Sequence, residues 1–359
     1  MTPSIVDLAD IVTGLSSADQ RIFERIFSLD IVRGDLKLPP PMTPWVKTQF
    51  GSLDRVTSQK IVKISNLVTL ESSVYNPLRA LRPHNFSCKA ENHTVKAGEE
   101  VDRFALPLDW TAEDPFGRVQ GKHCITAGNI AKCEQHHCVV VFNNPDPMDF
   151  GCSEVADYIE TGWKWAQCAH DFDPLARYCL FLWNCSNRAG ASIRHGHAQV
   201  ILGRGSHYIK VEGLRKSALL YQERYGSNYF DDLFTVHEAL GLGWKSGDTK
   251  MMVYLTALKQ NEVMILSPGM APSLTENIYR VLSCFLDKLG VKSFNVGIVF
   301  PPLGDGAGWE GFPVIARIVD RGNTNNISSD ISAMEFYGAN VVNSDPFETA
   351  GAVLNSIDF

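Results

Sequence analysis

Apolar and polar positions along the chain follow two rhythms, one helical and one of period two. Residues 16–29 open with a helix start signal at Ser16 and carry apolar residues at helical spacing. Pro39-Pro-Pro-Met-Thr-Pro44 breaks the chain, and Ile61 to Leu70 reads as a mixed strand. His123 to Ala127 and His137 to Phe142 read as strands around a turn at Gly128–Lys132. Ser153 to His170 reads as a long helix, with Val155, Ile159, Trp163 and Ala166 on one side, Ser153 as cap and Glu154 in the first turn. Two apolar strands, Tyr178–Trp183 and His197–Leu202, flank a loop of small residues.

The second half repeats this order loosely. Leu214–Tyr225 and Asn228–Leu240 are helical, and Met251–Leu258 and Val263–Leu266 are strand-like. Ser273–Leu289 is an amphipathic helix capped by Ser273 and ended by Gly290. Ser293–Phe300 and Phe312–Val319 are strands separated by a turn-rich stretch from Pro301 to Gly308. Neither half shows the regular βαβ alternation of a parallel doubly wound sheet. The expectation is an α+β chain with an open, mainly antiparallel sheet and helices packed on it. The predicted divisions are an N-terminal appendage over 1–44, a first half over 45–205 and a second over 206–359.

The 359 residues allow two medium domains with ample core. An apolar fraction of 45% and a charged fraction of 20% are ordinary for a soluble globular protein. A net charge of −7 lacks the basic footprint of a nucleic-acid binder, so an anionic ligand would be held by local amides and a few Arg or Lys. The nine cysteines are odd in number and form no C-x-x-C pair, which suits a reduced, cytoplasmic compartment. The N-terminus lacks a secretory pattern, and no apolar run is long enough to span a bilayer, so no membrane partner is expected.

The chemistry concentrates in residues 184–202, where His195-x-His197-x-Gln199 precedes the apolar run Val200-Ile201-Leu202. Residues two apart on a strand share a face, so the three side chains would stand in a row. A neutral imidazole carries a free lone pair near neutral pH and can act as a nucleophile. Gln199 and a Gly/Ser-rich loop offer neutral donors to a negatively charged reacting group. A metal site and a solvated strand face are the other readings of the same pattern.

The stretch resembles the galactose-1-phosphate uridylyltransferase branch of the histidine-triad (HIT) superfamily in three respects. Asn184 lies thirteen residues before His197, Ser192 lies five before it, and the H-x-H-x-Q follows. Hydrolases of the superfamily usually carry a third histidine where this chain has Gln199. The resemblance therefore implies a nucleotidyltransferase or phosphorylase with two HIT-type repeats, the second lacking the nucleophilic histidine. It implies transfer of a nucleoside monophosphate from a nucleotide-sugar or dinucleoside polyphosphate to a phosphate-bearing acceptor, through a covalent nucleotidyl-His197. Gln199 would bind a non-bridging oxygen, Ser192 the phosphates and Asn184 the nucleoside or phosphate. His195 would support the site, and Arg194 would pair with phosphate or lie on the surface. A HIT-type hydrolase and a non-catalytic nucleotide-binding relative are the rival readings.

Further implications are looser. Asn129 and Lys132 sit at the turn that HIT folds place close to the nucleoside, and solvated turn residues are the alternative. Glu335 stands where the transferases keep a Glu near the acceptor sugar, or is simply exposed. Arg317 and Arg321 would meet an acceptor phosphate or make ordinary ion pairs. The family's structural zinc uses a C-x-x-C, a later histidine and the first His of H-x-H. Here Cys88 has Glu91 where the second cysteine belongs, and Pro147 falls where the later histidine would be, so no zinc is expected. Mg2+ could accompany the nucleotide, and a homodimer is compatible with the resemblance.

Overall fold

The computed structural model describes residues 3–82, 102–324 and 331–356. A helix, α1 (Ser17–Ile26), has Ser16 as its cap, accepting from the Asp19 amide, as its start signal implies. It ends at Phe27, where an unforeseen strand begins. That strand, β1 (Phe27–Asp35), pairs along its whole length with β2 (Ser58–Asn66), so the 1–44 segment is built into the body. The expected strand 61–70 stops at Asn66, whose side-chain oxygen takes the Val68 and Thr69 amides and turns the chain into β3 (Ser72–Tyr75). With β13 (Ala339–Val342), which pairs parallel to β3, these strands form a four-stranded sheet.

The larger sheet has nine strands. Four come from the first repeat: β4 (Cys124–Gly128), β5 (His136–Phe142), β6 (Ala176–Cys185) and β7 (His197–Arg204). Five come from the second: β8 (Gly243–Ser246), β9 (Thr249–Val253), β10 (Gln260–Ser267), β11 (Phe294–Val299) and β12 (Val314–Asp320). Their order is β4-β5-β7-β6-β11-β12-β10-β9-β8, with antiparallel pairing throughout.

The two expected repeats therefore meet at β6 and β11. Register carries one row of residues across eight strands: Ala127, Val139, Gln199, Leu182, Gly297, Arg317, Met264 and Met252. A pseudo-twofold axis between Leu182 and Gly297 exchanges Gln199 with Arg317 and Val139 with Met264. Two residues along, the same operation places His197 on Ile315 and Asn184 on Val299.

Each repeat lays one helix on the same side of the sheet: α2 (Cys152–Phe172) on the first, and a later helix, Pro272–Asp287, on the second. Both start one residue earlier than the serines that signalled them. Gly151 caps the first, and Pro272 occupies the first turn of the second, where a missing amide hydrogen is harmless. Ala198, Val200 and Leu202 join Phe181, Trp183 and Trp165 in the core beneath α2. Gly162 permits close approach, because a Cβ there would lie 2.8 Å from Val200. Trp165 is buried and Trp163 half-buried against this core, as expected of packing aromatics. His197, Gln199 and Ile201 consequently project from the opposite face.

That opposite face is covered over the second repeat by α3 (Ile209–Tyr225), α4 (Tyr229–Ala239) and the small sheet. Asn66 donates to the hydroxyls of Tyr229 and Tyr254, and Tyr75 donates to the Leu255 carbonyl. Arg317 bridges Glu262 on β10 and Glu71 beside β3, and Lys210 joins Glu71 at 2.7 Å. Burial pushes the Glu71 carboxyl up, but Arg317 and Lys210 outweigh it and hold the group at about 2. Arg317 is thus engaged inside the protein, which is the ion-pair reading of that residue.

On α4, His237 donates from Nδ1 to the Leu233 carbonyl and accepts the Leu255 amide at Nε2. Burial pushes its imidazole down to about 4, and does the same to His207. The unfolded chain binds protons at these histidines near pH 6.5, well above the folded form. Stability is therefore complete above that pH and is lost as pH falls towards 4, by about 3 kcal/mol for a fully buried ring. Thermal melts are expected to show a falling Tm across this window, with a shallower slope for His237→Gln. A Tm that is flat between pH 7 and 5 would contradict a neutral, buried His237.

Candidate active site

The first turn of β7 and the loop before it carry the site. His195 and His197 are separated by Gly196, whose amide donates to the Pro145 carbonyl and whose carbonyl accepts from Phe142. A Cβ at Gly196 would stand 2.8 Å from the Phe142 ring and 2.9 Å from the Asn144 carbonyl. Only glycine lets the strand lie this close to its neighbour. The loop turns through Ser186 and Gly190, both at positive φ. Ser192 and Arg194 follow on its exposed part.

His197 is buried, 7% exposed, and its Nδ1 lies 2.8 Å from the His195 carbonyl oxygen. A carbonyl only accepts, so Nδ1 carries the proton and Nε2 keeps its lone pair. Nε2 has no hydrogen-bond partner among the described residues. Burial lowers the pKa of the ring, which favours the neutral form at neutral pH. Phe104 stands edge-on to both histidines, with centroids 5.5 Å from His197 and 5.8 Å from His195.

His195 stands just before His197 and Gln199, and Phe104 packs on its ring as it does on that of His197. It precedes β7, and its ring is pinned between the Asp102 carboxylate at 2.7 Å and the Phe142 carbonyl at 2.8 Å. Its backbone carbonyl, rather than its ring, touches His197. Its engaged nitrogens and the donor-free Pro147 do not fit a zinc ion. Cys88 and Glu91 lie outside the described residues. Among the described residues, no group of three or more His, Cys, Asp or Glu side chains gathers to hold a metal.

Gln199 is oriented from β5. The Cys133 amide donates to His137 Nδ1 at 3.2 Å, so His137 Nε2 bears the proton and donates to Gln199 Oε1 at 2.7 Å. The Gln199 oxygen is thereby occupied and its NH2 group remains to donate outward. Asn129 lends its amide to the same oxygen at 3.5 Å, while its own oxygen closes the turn at Ala131. Lys132 is spent on Asp114 and on the His137 carbonyl, both at 3.2 Å. Asp114 in turn accepts from Trp165. Asn129 and Lys132 thus brace the turn beside Gln199.

Asn184 is set by the second repeat. Leu182 pairs with Gln199, and Asn184 lies two residues further along β6 on the same face, towards the end of β7 that carries His197. Asn295 of β11 donates to the Asn184 oxygen at 2.7 Å and to the Ala189 carbonyl at 2.9 Å. Arg321 Nη1 donates to the Asn295 oxygen, and Arg188 donates to the Arg321 carbonyl. The Asn184 NH2 group is left as a donor near His197. Arg321 is thus tied to this brace.

Ser192, Arg194 and His195 line an open cavity of about 800 Å³ with Arg103, Phe104 and Pro145–Pro147. Both arginines and the serine offer donors to an anion there. Glu335 lies elsewhere. It closes a capping box with Ser332 and pairs with Lys259 at 3.0 Å.

Sequence reading passed over His137 as an orienting group, although strand alternation puts it on the face of Val139 and Gln199. It passed over Asn295, because only the β6–β11 register brings that residue to the site. Asp102 and Phe104 gave no local signal.

No family model matches the chain, and no curated protein matches it. Solved structures do. An ADP-glucose phosphorylase from Arabidopsis thaliana with bound ADP-glucose aligns over 80% of this chain and 95% of its own, with a TM-score of 0.62 and 17% identity. A GalT-like protein from Arabidopsis thaliana aligns over 70% and 90%, at 0.57 and 16%. A uridylyltransferase aligns over 72% and 92%, at 0.57 and 15%. At such identities the likeness is one of fold: the chain has the two-repeat, HIT-like architecture of these proteins.

Two outcomes are expected. Nitrogen-15 spectra of labelled histidine should show His197 as the Nδ1–H tautomer, titrating below the ordinary histidine value. A resonance of the opposite tautomer would overturn the assignment. Gly196→Ala should destabilise the protein by about 1–3 kcal/mol through overpacking, as read by denaturant titration.

Proposed function

We propose that the protein is a nucleotidyltransferase of the phosphorylase or transferase kind, working by double displacement at His197. The observation that carries this reading is the tautomer lock. The His195 carbonyl accepts the Nδ1 proton, so Nε2 is unprotonated and keeps its lone pair. Attack by Nε2 on the α-phosphorus of a nucleotide donor forms the N–P bond and expels a phosphate-bearing leaving group. A phosphate-bearing acceptor then attacks the same phosphorus from the opposite side, breaking the N–P bond and restoring the imidazole.

The outward NH2 groups of Gln199 and Asn184 are suited to the non-bridging oxygens as charge develops on them. Gln199 is neutral and a poor base, so it does not activate water, and the intermediate survives for the acceptor. Ser192, Arg194 and Arg103 line the adjoining cavity and are suited to the remaining phosphates. No metal is needed in this scheme. The donor is proposed to be a nucleotide-sugar or dinucleoside polyphosphate. The ADP-glucose bound in the similar phosphorylase makes ADP-sugars the first compounds to try.

Brief incubation with α-32P-labelled ADP-glucose, UDP-glucose and diadenosine tetraphosphate is expected to give base-stable, acid-labile label in wild type. His197→Gly should give none. A His197→Gly protein that labels, or a wild type that binds these donors without labelling, would overturn the proposal. The labelling rate should rise with pH as His197 loses its proton and level off below the usual histidine midpoint, because burial lowers that pKa. A profile still climbing above pH 8 would place the nucleophile elsewhere.

A further inference from the structure

The pseudo-twofold axis between Leu182 and Gly297 carries the site around His197 onto the second repeat. His197 falls on Ile315, Asn184 on Val299 and Gln199 on Arg317, and all three line one cavity of about 630 Å³. The bracing geometry is repeated with different chemistry. His137 on β5 holds Gln199, and Glu262 on β10, two residues before Met264, holds Arg317. The second repeat has Ile315 where the first has His197, and it encloses a chamber.

This chamber is open where side chains could have closed it. Gly297 in its floor and Gly213 on α3 in its roof both line it, and a Cβ on either would meet nothing within 4 Å. Gly213 lies inside a helix, where alanine would be more stable. The walls are chiefly aliphatic and aromatic, including Leu182, Val299, Ile315 and Met264. Its volume falls within the range of small-molecule pockets, and its composition of apolar walls with few polar groups is theirs too.

One polar feature is unsatisfied. Arg317 donates from Nε to Glu262 and from Nη1 to Glu71, while Nη2 is shut off from solvent with no hydrogen-bond partner. That nitrogen has no surface open to the cavity, and the guanidinium carbon stands 5.2 Å from the Tyr254 ring centroid, so the cationic wall a ligand can reach is the rest of Arg317 together with Lys210, which also lines the cavity.

We propose that this cavity is a second ligand site, for an apolar molecule of about a dozen carbons whose single acceptor head group meets the cationic wall made by Arg317 and Lys210. It is separate from the nucleotide site proposed at His197 and does not depend on transfer activity. A branched or aromatic body would suit the walls as well as a straight chain. The acceptor is what the site selects.

The test is calorimetric titration of the full chain with dodecanoate below its micellar concentration. Saturable binding near one equivalent is expected, with dodecylammonium at least tenfold weaker because it brings donors to a donor. Gly297→Phe and Gly213→Phe should each weaken dodecanoate at least tenfold while α-32P labelling of His197 persists. ADP-glucose should not displace the probe. A diazirine-bearing dodecanoate should mark peptides from α3 or β11, which reads the site without any substitution. The proposal falls if no saturable binding occurs, if the photolabel lands elsewhere or if ADP-glucose competes. It also falls if both folded variants bind as wild type does, or if dodecylammonium binds as well as dodecanoate. Loss of labelling at His197 with intact dodecanoate binding would count against the transfer reading alone.

Discussion

A single hydrogen bond, from His197 Nδ1 to the carbonyl two residues back, governs what the site can do. Imidazole has two nitrogens and no intrinsic preference strong enough to decide which is bare. A backbone carbonyl decides it, because it cannot donate. That contact in turn requires the chain to pass Phe142 and Asn144 at a distance that only Gly196 tolerates. The middle residue of H-x-H is therefore as constrained as its neighbours, by space rather than by chemistry.

The surrounding polar groups follow the same logic of occupying one end so that the other is available. His137 takes the oxygen of Gln199, and Asn295 takes the oxygen of Asn184. In each case an amide that could present either atom is left presenting hydrogens. One brace comes from the first repeat and the other from the second. The second half is thus not a passive duplicate: β11 reaches back across the junction and sets a group beside His197. Side-chain amides fixed in this way are suited to an anion without adding charge to a buried site.

Much of this was legible from alternation and spacing. The helical and strand rhythms located α2, the strands on either side of the loop and the paired organisation of the second half. The row formed by His197 and Gln199 followed from period two. Other features depended on information that a linear reading does not contain. The strand Phe27–Asp35 alternates from Phe27 to Ile31 with its apolar side on the core, but the helical spacing before it runs into the same residues, and pairing with β2 is what separates the two. The engagement of Glu335 by Lys259 and Ser332, and of Lys132 by Asp114, depends on partners distant in space. Charged residues are hard to assign from sequence for this reason: their meaning lies in who faces them.

The eight-strand row has an arithmetic consequence for how such a protein can change over generations. From Leu180 to Cys185 each position of β6 faces either α2 or the reactive side, and pairing with β11 enforces the assignment, whereas nearer Ala176 a register shift against β7 breaks the alternation. Adding or removing one codon in that stretch of β6 would exchange the classes, sending Trp183 outward and Asn184 into the hydrocarbon interior. Length variation is thereby barred from the seam between the repeats and diverted to the connecting loops. Divergence at the seam must proceed by replacement alone.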